Sequence, residues 1–250
     1  MSFSLAGAAV RGILLDVEGT TTPVDFVTRL LFPFARERVR DYLAAHPDEP
    51  GVREDLQRLR GEQAAESAAG AGPPGWIDEP AAARLDSAVR FVHWLMDRDR
   101  KSTGLKSLQG RIWERGYVEG LLQGRIYDDV PRALRRWREL GLDVRIFSSG
   151  SVLAQRLLFS RSEAGDLSGF LDGYFDTGTG PKNEPASYRR IAGEMRLPPP
   201  RILFVSDAVP ELEASLSAGL QALHCERPGN RSPAAPPPCP TIRSFDEILG

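Results

Sequence analysis

The stretch VRGILLDVEGT, residues 10–20, decides the fold, because a short apolar run ends there at a carboxylate and a Gly-Thr turn. A short apolar run of this kind is typical of a strand that is buried on both faces, as in a parallel sheet. Residues 143–147, DVRIF, and residues 201–205, RILFV, repeat the construction and also run into polar residues. The sequence therefore predicts three buried parallel strands with polar carboxyl ends.

Helical patterns separate and follow these strands, in PRALRRWREL (131–140), SVLAQRLLF (151–159), PASYRRIAGEM (185–195) and ELEASLSAG (211–219). Alternation of strand and helix favours a parallel sheet that is covered by helices on both faces, with right-handed crossovers. We expect an α/β fold with a Rossmann-like core. Open sheets of this kind bind ligands at the carboxyl ends of their strands, so the polar residues there are the first candidates for a site.

Residues 26–123 break the alternation, because they read as several helices with no convincing buried strand. We interpret them as a helical cap that is inserted into a core formed by residues 1–25 and 124–250. Within the cap, AAESAAGAGPPG (64–75) is rich in Ala, Gly and Pro and predicts a mobile loop. The segment ARLDSAVRFVHWLMDRD (83–99) returns to helical spacing.

Composition limits the classes of protein to which the chain can belong. Its 250 residues carry 32 basic and 34 acidic side chains, scattered and with a net charge of −2, so no basic face for a nucleic acid is visible. Cys225 and Cys239 are too few for a disulfide framework or a four-ligand zinc site. The leading segment lacks a basic start, and Arg11 interrupts its apolar stretch. We expect a cytoplasmic protein without nucleic-acid or membrane partners, and take a monomer as the working expectation.

Asp16 and Glu18 lie two residues apart, immediately after the first predicted strand. A lone pair of this kind most often caps a turn, but its place at a strand end favours chemistry. A carboxylate that attacks phosphorus forms an aspartyl phosphate, and a second carboxyl group can protonate the leaving oxygen and later activate water. Asp16 is thus a candidate nucleophile and Glu18 a candidate acid and base. Asp207, after the third strand, supplies a second carboxylate for a magnesium ion that screens the repulsion.

Two further segments are candidates for holding a phosphate group. Ser148, Ser149, Gly150 and Ser151 follow the second predicted strand, where they either bind phosphate oxygens or cap the next helix, and the sequence leaves both open. Lys182, in GTGPKNEP, begins a helix and can reach a phosphate as a point charge, although a lone lysine is most often a surface residue. The segment lacks the GxxxxGK[ST] spacing of a nucleotide-binding loop.

The order of these motifs resembles the four-motif signature of the haloacid dehalogenase phosphatases. More narrowly, the chain resembles the enolase-phosphatase E1 family, the acireductone synthases of methionine salvage. The resemblance rests on DVEGTTTPVDFV, LMDRDRKSTGLKSLQGRIWERGY, FSSGSVLAQRLLF, GYFDTGTGPKNEPASY, LFVSDAVPELEASLSAG and ERPGN, which span nearly the whole chain. The superfamily usually has Asp two places after its nucleophile, whereas this family has Glu, as Glu18 is here.

The resemblance implies a magnesium-dependent bifunctional enzyme that acts on a small-molecule phosphate. It would enolise 2,3-diketo-5-methylthiopentyl 1-phosphate and dephosphorylate the product to the acireductone 1,2-dihydroxy-3-keto-5-methylthiopentene. Asp16 would be both nucleophile and metal ligand. The main-chain carbonyl of Glu18 and the carboxylate of Asp207 would also bind the metal, with support from Glu211. Ser148 and Ser149 would bind phosphate, and Lys182 would hold the substrate and the nucleophile.

Other interpretations remain beside this one. The chain is alternatively a phosphatase of the same superfamily that acts on another small phosphate ester, since the cap would select the substrate. A catalytically dead binding module is disfavoured, because it need not retain the nucleophile, the lysine and the metal carboxylate together. A dehalogenase is disfavoured because it needs no magnesium site and would not require Glu18 or Asp207 in these places.

Overall fold

The computed structural model describes residues 9–248, so the prediction for the leading segment falls in part on residues that lie outside the described ones. The chain divides into two compact units, one formed by Met1–Thr28 with Gln123–Gly250 and the other by Arg29–Leu122. We call them the sheet unit and the helical unit. That they act as a core and a cap stays a prediction.

A single parallel sheet of six strands forms the centre of the sheet unit in the part of the chain that the structure describes. Its order is β3-β2-β1-β4-β5-β6, and every neighbouring pair is parallel. The predicted α/β, Rossmann-like class is confirmed. The strands are β1 (Gly12–Leu15), β2 (Asp143–Phe147), β3 (Gly173–Phe175), β4 (Ile202–Ser206), β5 (Gln221–Cys225) and β6 (Thr241–Ile242).

Helices close to the predicted ranges connect these strands. The longer ones are Asp129–Glu139, Val152–Ser160, Pro185–Met195 and Val209–Ser217. Shorter turns of helix are Val24–Phe26, the π-helical Val27–Leu31, and the 3₁₀ turns Ser168–Phe170, Pro199–Arg201 and Phe245–Glu247. On one face of the sheet, apolar side chains of the strands and of two helices form a single buried cluster, which includes Leu14, Phe204, Tyr188, Ile191 and Leu212. This packing fixes the strand ends that carry the polar residues.

The helical unit contains Phe32–Ala45, Pro50–Ala68, Ala81–Asp97 and Thr103–Val118, and its residues, all of them described, form no strand. The predicted loop over residues 64–75 is wrong in its first part, because the second of these helices continues to Ala68. Alanine and glutamate are strong helix formers, and the helix ends just before Gly70, whose φ is +73°. None of the described helices is long and apolar enough to cross a membrane.

Candidate active site

Three polar segments lie side by side at one edge of the sheet. β1 lies between β2 and β4, and the register pairs Leu15 with Ile146 on one side and with Val205 on the other. The ladder continues one residue further, because the Asp16 N–H donates to the carbonyl of Val205 at 3.0 Å. Since the strands are parallel, the residues that follow β1, β2 and β4 meet at this edge.

Asp16 and Lys182 form a buried ion pair at this edge. Lys182 Nζ lies 2.6 Å from Asp16 Oδ1 and 2.6 Å from Glu211 Oε2, and 7% of the lysine side chain is exposed. Burial lowers the pKa of Lys182, but the carboxylates of Asp16 and Glu211 raise it by more, so the pKa lies above its usual value. Lys182 is therefore a charged interior residue, and the alternative of a surface lysine is wrong.

Tyr188 holds the backbone of Lys182. Its hydroxyl donates to the carbonyl of Lys182 at 2.7 Å, and the whole side chain is buried. Its ring packs edge-on against Phe147 at the end of β2 and against Phe204 in β4. The lysine is thus tied to the two strands on either side of β1.

Ser206, the last residue of β4, connects two carboxylates of the cluster. Its Oγ lies 3.1 Å from Asp16 Oδ2 and 3.0 Å from Glu211 Oε2. Burial and the charge of Asp16 raise the pKa of Glu211 to about 7, against the opposing effect of Lys182. Asp207 behaves in the same way, because burial and Asp16 also raise its pKa to about 7. More negative charge is concentrated here than one lysine neutralises.

The turn after Asp16 brings its backbone against Asp207. Gly19 has a φ of +72°, and a Cβ atom added to it would lie 2.4 Å from Asp207 Oδ2. The Gly19 N–H donates to the carbonyl of Thr22 at 2.8 Å, which closes the turn. The Glu18 side chain is exposed, and its charge adds to the rise in the pKa of Asp207. The structure thus brings Asp16, Glu18 and Asp207 together.

This donor set fits a divalent cation. Burial and the charge of Asp16 together raise the pKa of Asp207, and carboxylate and carbonyl oxygens are the ligands of hard cations. Among residues 9–248, no three His, Cys, Asp or Glu side chains form a ready-made cage. A cation here would therefore take few side-chain ligands and complete its shell with main-chain oxygen and water.

The serines after β2 divide between two roles. Ser151 Oγ accepts a hydrogen bond from the Ala154 N–H at 3.2 Å, so Ser151 is the cap of the helix Val152–Ser160. Ser149 is exposed and Ser148 is half-buried, and neither caps this helix. They remain the two candidates for contacts with a phosphate.

Gln155 fixes the backbone of this serine turn, and sequence reasoning missed it. Its Nε2 donates to the carbonyls of Gly150 at 3.0 Å and of Phe175 at 2.9 Å. Phe175 O also accepts from the Ser148 N–H at 3.1 Å. The glutamine is recognisable only once β2 and β3 are known to be neighbours, because the sequence gives it no distinguishing spacing.

Comparison with known proteins agrees with this geometry. Residues 10–219 match the family model of a hydrolase described as haloacid dehalogenase-like. The enolase-phosphatase E1 of Synechococcus elongatus is 54% identical over 240 residues, which cover 96% of this chain and 98% of that protein. The chain belongs to the enolase-phosphatase E1 family. A second enolase-phosphatase E1, from Xenopus tropicalis, is 44% identical over 225 residues, which cover 88% of this chain and 86% of that protein.

A solved structure extends the likeness to the fold. The UTR4 protein of Saccharomyces cerevisiae superposes with a TM-score of 0.77 at 29% sequence identity, and the match covers 95% of this chain and 99% of that one. Membership of the enolase-phosphatase E1 family makes the chain a hydrolase of the haloacid dehalogenase type. The resemblance drawn from the sequence motifs is confirmed.

Gly19→Ala tests how much the stability and the activity depend on the turn that follows Asp16. A left-handed conformation costs a non-glycine residue about 1–2 kcal/mol, and the new methyl group would also displace the Asp207 carboxylate. We expect a lower melting temperature and a phosphatase rate reduced at least about tenfold, since even a small misplacement of reacting groups is costly.

Gly141→Ala is the matched control, because Gly141 also has a positive φ, of +68°, but has nothing within 4 Å of its added Cβ. It should lose about 2–4 °C of melting temperature and keep its activity. Thermal unfolding and phosphate release are measured on both variants. Full phosphatase activity in Gly19→Ala would refute the importance of this close approach.

Proposed function

We propose that the protein is the bifunctional enolase-phosphatase of methionine salvage, a cytoplasmic, magnesium-dependent enzyme. Its substrate is 2,3-diketo-5-methylthiopentyl 1-phosphate, which it enolises and then dephosphorylates to 1,2-dihydroxy-3-keto-5-methylthiopentene. The observation that carries the proposal is the buried pair of Lys182 Nζ and Asp16 Oδ1, 2.6 Å apart at the carboxyl edge of the sheet. This pair lies in a chain that is 54% identical to a curated enolase-phosphatase E1.

In the phosphatase half, Asp16 is the nucleophile. Its carboxylate attacks phosphorus, the bond between phosphorus and the ester oxygen breaks, and Glu18 gives a proton to the departing oxygen. Glu18 then takes a proton from water as that water attacks the aspartyl phosphate, which releases inorganic phosphate and restores Asp16. The exposed position of the Glu18 side chain supports this exchange with solvent.

Lys182 supports the attack in two ways. Its charge lies against Asp16 Oδ1, so it orients the nucleophile, and it offsets the charge of an incoming phosphate. Glu211, on the other side of Nζ, holds the ammonium group in place. Ser148 and Ser149, after the neighbouring strand β2, donate to the phosphate oxygens.

Magnesium would be held by the carboxylates of Asp16 and Asp207 and by the main-chain carbonyl of Glu18. When bound, the ion screens the repulsion between carboxylate and phosphate and polarises the substrate oxygens. The charge of Asp16, which adds to burial in raising the pKa of Asp207 to about 7, supports this assignment. Asp207 is only partly buried, and magnesium usually retains several water ligands.

A substrate panel tests the proposal against its alternative, a phosphatase for another small phosphate ester. Purified protein is supplied with magnesium and with the diketo phosphate or with a series of sugar phosphates, and released phosphate is measured together with ultraviolet absorbance. We expect the diketo phosphate to give the highest kcat/KM, with phosphate and the absorbance of a conjugated enol appearing together. Faster turnover of another ester would support the alternative.

Asp207→Asn tests the metal assignment. The substitution removes one of two side-chain anions from a site with few ligands, so magnesium should bind much more weakly and phosphate release should be lost. Magnesium titration and phosphate release are measured on the same preparation. If the variant released phosphate at the native rate in the presence of a chelator, Asp207 would not be a metal ligand.

A further inference from the structure

A tight turn follows β5 and lies against the turn that follows Asp16. The Asn230 N–H donates to the carbonyl of Arg227 at 3.1 Å, which closes a four-residue turn. Pro228 occupies its second position, and Gly229 its third, with a φ of +89°. Proline followed by a glycine of positive φ is the pattern of a type II turn, so the RPGN sequence itself specifies this conformation.

The first and last side chains of this turn reach consecutive carbonyls of the nucleophile turn. Arg227 Nε donates to the carbonyl of Thr20 at 3.1 Å. Asn230 Nδ2 donates to the carbonyl of Gly19 at 2.9 Å. Two side chains more than 200 residues further along the chain thus fix the backbone beside Glu18 and Asp16.

Arg227 is the structural anchor of this contact. Its side chain is buried, its Nη1 lies 2.8 Å from Asp129 Oδ2, and its guanidinium lies over the rings of Tyr127 and Phe245. Removing Arg227 would leave the buried Asp129 without its cation and would destabilise the fold. Asn230 is therefore the better probe of the turn's effect on the site.

The amide of Asn230 has one orientation that satisfies its nitrogen. Both groups near Nδ2, the carbonyls of Gly19 and Cys225, are acceptors, so Oδ1 points the other way. Oδ1 is buried and has no hydrogen-bond partner among the described residues. The point where a Cβ on Gly19 would lie is 3.0 Å from Asn230 Oδ1 and 2.4 Å from Asp207 Oδ2. Asn230 Oδ1, an acceptor without a donor, and the Asp207 carboxylate, which is proposed to bind magnesium, thus lie close to the same point beside Gly19.

We propose that Asn230 is a positioning residue of the cation site. Its Nδ2 fixes the Gly19 peptide, while the bond from the Gly19 N–H to Thr22 fixes the peptide that carries the Glu18 carbonyl. Its Oδ1 accepts a hydrogen bond from a water molecule that hydrates the cation, which satisfies the buried oxygen. The inference rests on the proposed function in that it requires a divalent cation at Asp16 and Asp207.

Magnesium titration of the substrate-free protein tests this role. In Asn230→Ala the magnesium dissociation constant, measured by calorimetry, should rise about 10- to 100-fold, the usual effect of removing a group that orients metal ligands. Because the ligands themselves remain, excess magnesium should restore most of the phosphate release. Because magnesium binding would also stabilise a poorly folded variant, thermal unfolding in chelator must first show that Asn230→Ala is folded.

Gln221→Ala is the matched control. Gln221 Nε2 also donates to a main-chain carbonyl, that of Pro200 at 2.6 Å, but at the amino end of β5. Its magnesium dissociation constant should stay within about twofold of that of the unmodified protein, since the change is remote from the ligands. Thermal unfolding in chelator should show a similar small loss of stability in both variants.

The outcomes separate this inference from the proposed function. An Asn230→Ala dissociation constant within about twofold of the unmodified value would overturn the positioning role, as would a loss of phosphate release that excess magnesium does not restore. The titration uses no substrate, so rejection of the diketo phosphate by the enzyme would refute the proposed function and leave the inference standing. An unmodified protein that binds no magnesium would overturn both.

Discussion

Asp16→Asn should stop phosphate release while an enol phosphate accumulates. An amide is a poor nucleophile toward phosphorus and cannot form the aspartyl phosphate, so the phosphatase rate should fall by at least about 10⁴-fold, as losses of a covalent nucleophile do. Enolisation needs a polarised ketone oxygen and a base near the carbon that loses its proton, and neither demand requires attack by Asp16. The amide oxygen can still hold magnesium, more weakly, when the ion is in excess.

The measurement follows ultraviolet absorbance and free phosphate in the same cuvette, with the diketo phosphate and excess magnesium. We expect the absorbance of a conjugated enol to rise while phosphate stays at background. Asp143→Asn is the control, because Asp143 begins β2 at the opposite edge of the sheet and pairs with Arg145. If Asp16→Asn released phosphate at the native rate, Asp16 would not be the nucleophile. If neither the enol nor phosphate appeared although the metal was bound, Asp16 would also serve enolisation.

Lys182→Ala should reduce phosphate release by about a hundred- to a thousandfold, the usual cost of removing one preorganised group that stabilises transition-state charge. The loss has a clear origin, since Lys182 Nζ lies 2.6 Å from both Asp16 Oδ1 and Glu211 Oε2. Without the ammonium group, these carboxylates repel each other and the incoming phosphate. Part of their charge would be neutralised by protons, which further weakens Asp16 as a nucleophile.

Lys101→Ala is the matched change for this prediction, because Lys101 is exposed and lies in the helical unit. It should keep its turnover. Circular dichroism establishes that both variants are folded before their rates are compared, since loss of a buried cation also costs stability. Equal turnover in the two variants would show that Lys182 does not meet charge at the reacting phosphate.

The predicted strands β1, β2 and β4 have apolar or alternating sequences that run into polar residues, and they form the centre of the sheet. β3 and β5 were not predicted. β3 is an outer strand of the sheet and has only three residues, Gly173–Phe175, which are too few to show a pattern. β5 contains Gln221 and His224, so its sequence QALHC shows neither an apolar run nor a regular alternation, although His224 is buried. These strands depend on pairing with their neighbours rather than on local sequence.

The same distinction holds at the site. The rule that ligands bind at the carboxyl ends of parallel strands led from local sequence to Asp16, Ser148 and Asp207. It did not extend to Lys182, which lies 166 residues from Asp16 and was placed by resemblance to a family. Asn230 had no signal beyond the ERPGN motif, because its importance comes from a contact with Gly19 that only the folded chain creates.

Trapping the covalent intermediate shows directly whether Asp16 is the nucleophile. The protein is mixed with the diketo phosphate and magnesium, quenched in acid and reduced with borohydride, which converts an aspartyl phosphate into homoserine. Peptide mass spectrometry then locates the reduced residue. We expect homoserine at position 16, in the peptide that contains DVEGT. Reduction at another carboxylate such as Asp207, or release of phosphate with no acyl phosphate formed at position 16, would contradict it.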